Sequence, residues 1–159
     1  MKFSRWWRMP KLEELIKSGK VLPIDLPAKR KELFSNQLNL LKDDLDDMNT
    51  LFVKGKYRGA FIHAFNALER AIDMFLILKG IKVRDRFSRE IAIKEKLGSE
   101  FLDMFEDLFD ARRNGMYERG LISKELVLQI TEDKLLFIMK KINEILPEKE
   151  KVNIEEFLL

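Results

Sequence analysis

The sequence predicts an all-α fold, an up-down bundle of four to five helices with short accessory helices. Three features point there. Apolar residues recur three and four positions apart over long segments, no segment alternates with a period of two, and glycine or proline stands at the segment ends. At 159 residues the chain has the length of one domain able to bury its own core. It divides into an N-terminal arm with a short helix (residues 1 to 26), a helical bundle (27 to 146) and a tail (147 to 159).

In chain order, Pro10 to Lys17 reads as the short helix of the arm, since proline suits a first helical turn and Gly19 stands ready to end it. Asp25 is the expected cap of the next helix. That helix runs to about Val53 with Leu38, Leu41, Leu45, Met48 and Phe52 on one face, and Lys42, Asp43, Asp46 and Asp47 on a solvated one. Gly55 marks a turn.

The following helix, from Tyr57 to about Lys79, is apolar around most of its circumference: Phe61, Ile62, Ala64, Phe65, Ala67, Leu68, Ala71, Ile72, Phe75, Leu76 and Leu78. Such a helix belongs at the centre. Ser88 is expected to cap a short helix ending near Gly98. Ser99 should cap a third main helix ending near Arg113, with Phe101, Leu102, Phe105, Leu108 and Phe109 inward. Ser123 should cap a last long helix that stops before Pro147. The tail, charged and then apolar, is suited to docking on the body or on a partner, or to fraying.

Composition narrows the function. The 30 basic and 27 acidic side chains leave a net charge of +3, too small an excess for a protein that coats DNA. Cysteine is absent and His63 is the single histidine, so no metal site of ordinary donor spacing is expected, and no cofactor. No run reaches the roughly 18 apolar residues of a membrane span, and the N-terminus lacks a signal-peptide core. A cytoplasmic protein without membrane contact is the expectation.

Two segments carry a resemblance. KGKYRGAFIHAFNALERAIDMFLILKGI, residues 54 to 81, resembles the second helix of HEPN domains, where Gly-x-Tyr leads into an alanine-rich aromatic helix ending at glycine. DARRNGMYERG, residues 110 to 120, is similar to the second HEPN signature, with Arg112, Gly115 and Tyr117 in its Arg, small and Tyr places. The likeness covers about residues 34 to 146. It implies a four- or five-helix bundle that forms a homodimer. Many such proteins are metal-independent ribonucleases acting as toxins, so RNA, a nucleotide or a nucleotidyltransferase antitoxin is the implied partner.

This sequence departs from the catalytic pattern, in which four to six residues separate the arginine from a following histidine. Counting from Arg112 those places hold Tyr117, Glu118 and Arg119; from Arg113 they hold Glu118, Arg119 and Gly120. RNA cleavage without a metal needs a proton acceptor, a proton donor and a cation for the phosphate. Arg112 supplies a cation, but the Tyr117 phenol stays protonated at neutral pH. A binding module without efficient catalysis is therefore expected. The alternative is an endoribonuclease using Arg112, Tyr117 and Glu118, and a structural adaptor is the second alternative.

The expected ligand-binding set is Arg112, Arg113, Asn114, Tyr117, Glu69 and Asp73. Within it an ion pair from Arg112 to Glu69 is the first candidate and Asp73 the second partner. His63 is expected to be a packed or hydrogen-bonded helix residue. Trp6 and Trp7, beside Arg5 and Arg8, are expected to cover core edges, with base stacking or a lipid interface as the alternatives, and Lys82, Arg84, Arg86 and Arg89 to lie in a solvated loop, with contact to phosphates as the alternative.

Overall fold

The computed structural model describes residues 10 to 117 and 122 to 158, with 114 to 117 described by their backbone alone. In order these form α1 (Leu12–Lys17), β1 (Val21–Pro23), α2 (Pro27–Val53), α3 (Tyr57–Leu78), β2 (Ile81–Val83), α4 (Arg86–Lys96) and α5 (Ser99–Tyr117). Then α6 (Lys124–Leu128) passes through a π-helical turn (Gln129–Leu135) into α7 (Leu136–Ile145). The fold is mostly helical, of the all-α class predicted. Among the described residues no helix is long and apolar enough to cross a membrane.

One small sheet was not predicted. β1 pairs antiparallel with β2, with Val21 opposite Val83 and Pro23 opposite Ile81. Strands of three residues are too short for alternation to show in the sequence. Their pairing follows from Gly80, whose φ of +87° turns the chain off the end of α3 and whose carbonyl accepts the Ile24 N–H at 2.7 Å. The sheet fastens the N-terminal arm to the bundle, and Leu12, Leu15, Val21 and Ile24 join the common core.

α2 and α3 form a long antiparallel hairpin, reversed at Gly55 with φ +73°. α2 buries Phe34, Leu41, Leu45 and Met48; Leu38 and Phe52 of its predicted stripe sit half-buried at the margin. α3 is the central helix. It packs against α2, α5, α6, the π turn, α7 and β2 and buries twelve residues, from Ala60 to Ile77. Ile62 and Leu78 of its predicted set are half-buried, while Met74 and Ile77 are in the core.

Five helix ends differ from expectation: α1 starts at Leu12, past Pro10, Ser99 is the first residue of α5 and not its cap, and three more depart as follows. Leu26, not Asp25, stands at the α2 N-cap, and no side chain caps that end because Pro27 already fits the first turn. Asp85, not Ser88, caps α4: its Oδ1 accepts the Ser88 N–H at 2.7 Å. α5 continues through Gly115 to Tyr117 rather than ending near Arg113. A glycine inside a helix costs only about 1 kcal/mol against alanine, too little to stop a helix anchored by its apolar face. Ser123 caps α6 as predicted, accepting the Leu126 N–H at 3.2 Å.

Beyond Pro147 the tail makes two 3-10 turns, Glu148–Glu150 and Ile154–Phe157, and lies on its own body. Asn143 holds both backbone groups of Val152, donating to its carbonyl at 2.8 Å and accepting its N–H at 2.9 Å. Ile154 is buried, and Asn49 donates to the Phe157 carbonyl at 2.8 Å. Of the three fates open to the tail, docking on the body is the one seen.

Candidate functional site

Glu69 and Asp73 lie four residues apart on α3 and so share one face of it. That face stays half-buried because α4 and α5 flank it rather than cover it. α4 brings Arg89 and α5 brings Arg112, and the four side chains form one cluster.

Arg89 grips Asp73 at two points, Nε to Oδ1 at 3.0 Å and Nη2 to Oδ2 at 3.2 Å, and its Nη1 reaches Glu69 Oε2 at 3.4 Å. Arg112 Nη1 donates to the other Glu69 oxygen, Oε1, at 3.3 Å. Glu69 thus bridges two guanidiniums. Side-chain exposure rises from 16% at Arg89 and 17% at Asp73, through 22% at Glu69, to 27% at Arg112, so Arg112 is the member nearest solvent.

An aromatic bed lies beneath the cluster. The Phe65 ring stacks on Phe105 at 5.5 Å and meets Phe109 edge-on at 6.1 Å. The Arg112 guanidinium lies over Phe65 at 5.4 Å and that of Arg86 over Phe109 at 3.3 Å, both within cation–π range. Arg86 Nε also meets the buried Glu90 at 3.0 Å.

Burial pushes the Glu69 carboxyl above the usual carboxylate range, and Arg89 and Arg112 recover only part of that loss. For Arg89 burial acts downward, yet the contacts with Asp73 and the Glu69 charge outweigh it and hold the guanidinium above its ordinary value. The two shifts pull in opposite directions across the Arg89–Glu69 contact. The two-point geometry resolves this: Asp73 is the firm counter-ion of Arg89, and Glu69 is the carboxyl whose charge is held less tightly.

The predicted Arg112–Glu69 pair therefore forms, while Asp73 serves Arg89 instead of Arg112. Arg113 does not join them. Its side chain is exposed and lies 3.7 Å from Asp110 on its own helix, because adjacent helical residues point about 100° apart. Asn114 and Tyr117 belong to α5, but their side chains lie outside the described residues, as do Glu118 and the Arg5, Trp6, Trp7 and Arg8 group.

His63 faces α2, where its Nδ1 is 3.1 Å from Asp44 Oδ1. Arg70 Nε lies 3.8 Å from the other Asp44 oxygen. It is the hydrogen-bonded helix residue the sequence suggested, away from the Arg112 cluster. Among the described residues no three His, Asp or Glu side chains are placed to hold a metal ion.

Arg89 is the member that sequence reading missed. It was assigned to a solvated loop with Lys82, Arg84 and Arg86. Taking Asp85 and not Ser88 as the cap moves Arg89 from the first helical position to the fourth, inside the helix, and two acids four apart on the central helix call for more than one cation. No family model matches the chain, and no curated protein or solved structure is similar to it.

Proposed function

We propose that the chain is an RNA- or nucleotide-binding helical module of HEPN type, working as a homodimer, with Arg112 as its phosphate contact. The observation that carries this reading is the seating of Arg112. Its guanidinium rests on Phe65 and is fixed at one nitrogen by Glu69, while its side chain is the most exposed of the cluster. A guanidinium has five donors in a rigid fork, so a group held this way has donors left for a phosphate and loses little freedom on binding.

The test is binding of labelled single-stranded RNA and of ATP to purified protein. Arg112→Ala should weaken binding about tenfold or more, and Arg112→Lys should restore only part, because an ammonium lacks the fork. If neither RNA nor ATP binds at micromolar concentration, the reading fails. Light scattering tests the dimer, and co-purification with a nucleotidyltransferase tests the antitoxin class of partner.

A second reading, a metal-independent endoribonuclease, is favoured by one observation: burial holds the Glu69 proton more tightly than an ordinary glutamate's, beside the Arg112 cation. Incubation with RNA in EDTA decides it. Cleavage by the wild type that Arg112→Ala abolishes supports the enzyme, and equal cleavage by both marks a contaminant.

A further inference from the structure

The Arg112 cluster does not end at Arg112. Phe109, one helical turn before it on α5, carries the Arg86 guanidinium on its ring at 3.3 Å, so the first residue of α4 adjoins the middle of α5. Next to Arg86 in the chain stands Phe87, a large aromatic side chain left 40% exposed. Arg84 and Lys82 follow, both exposed. Lys82 is turned outward by the strand pleat of β2, where Ile81 and Val83 point inward.

Among the described residues Phe87 is one of six large apolar side chains left exposed, and what sets it apart is its stretch of chain, which carries Lys82, Arg84 and Arg86 with Asp85 as the one acid among them. A ring left in water forgoes the burial that aromatic side chains ordinarily gain. Its value lies in offering a flat face to a ligand, and every unpaired base has a flat face to match it. Cations spaced along the same path match the phosphates that join successive bases. A duplex hides its base faces in the stack, and a mononucleotide spans only one position.

We infer that the ligand is single-stranded RNA, one base stacking on Phe87 while Lys82, Arg84 and Arg86 lead its phosphates toward Arg112. This rests on the RNA-binding reading above and adds to it the strand form and the stacking residue.

The experiment measures affinity of the full chain for labelled oligouridylate, for the same strand annealed to oligoadenylate, and for UMP, over a range of salt. The wild type should prefer the single strand to both. Phe87→Ala should weaken binding about fivefold or more, the lower end of what a stacked base contributes, and Phe87→Trp should restore it. Arg84→Gln should reduce the salt slope by about 0.7, the share of one phosphate contact on a single strand. Thermal melts show that these surface variants fold. Wild-type affinity in Phe87→Ala, or equal affinity for duplex and single strand, overturns the inference; if Arg112→Ala still loses binding, the broader reading survives. Absence of any wild-type binding overturns both.

Discussion

Arg89 holds both carboxylate oxygens of Asp73, at 3.0 and 3.2 Å, across sixteen residues of chain. This fork ties α4 to the central helix at a point where apolar contact between them is slight. Asp73→Asn leaves the guanidinium half-compensated in a largely buried place, and should lower stability by roughly 3 kcal/mol, as breaking a buried pair does. Urea denaturation measures it, and a loss below about 1 kcal/mol would show that solvent already screens the pair.

The Arg112–Glu69 contact is single and more exposed. A double-mutant cycle with Arg112→Ala and Glu69→Gln should give a coupling of about 1 kcal/mol or less, the range of partly exposed pairs. RNA affinity should fall in Arg112→Ala by more than that coupling accounts for.

Glu69 also shapes the response to pH. Folding raises its value, so the native state keeps a proton that the unfolded chain has already released. The stability tied to that proton is fully present below the ordinary glutamate value and fades as pH climbs through the raised folded value. Wild-type stability should therefore decline over this window more than that of Glu69→Gln, which has no proton to lose. Parallel curves for the two proteins in urea melts at stepped pH would contradict the assignment.

Asn143 fixes the tail through both backbone groups of Val152. Asn143→Ala should cost about 1 to 2 kcal/mol, the value of two ordinary hydrogen bonds, and should speed proteolysis beyond Pro147. Deleting residues 148 to 159 should leave assembly with other chains unchanged while lowering the melting temperature. A loss of assembly would instead favour the adaptor.

Much of the fold was legible because long apolar stripes report which helix is central: α3 shows its position through residues from Ala60 to Ile77. The Arg112–Glu69 pair was legible through the resemblance, which implies an acid at the place of Glu69, together with the need of a half-buried arginine for an opposite charge nearby. Arg89 was not. Its placement depends on a helix start, and shifting the cap from Asp85 to Ser88 leaves Arg86 in the loop and puts Arg89 at the first helical position, not the fourth. Local capping residues compete within a few positions, and only the path set by Gly80 and β2 decides between them. The strands themselves escaped notice because three residues carry no period.

The π-helical turn at Gln129–Leu135 acts as a phase adjuster for everything after it. Each helical residue advances the side-chain direction by about 100°, and a π turn takes up roughly one extra residue per turn. Were the stretch to close as regular α with all its residues kept, every side chain after it would turn by about 100°, swinging Ile138 and Ile142 away from α3 and carrying Asn143 out of reach of the tail; deleting one residue removes the extra one and keeps the phase. The segment after Leu135 thus depends on the length of that stretch, tolerating the loss of one residue there better than the gain of one.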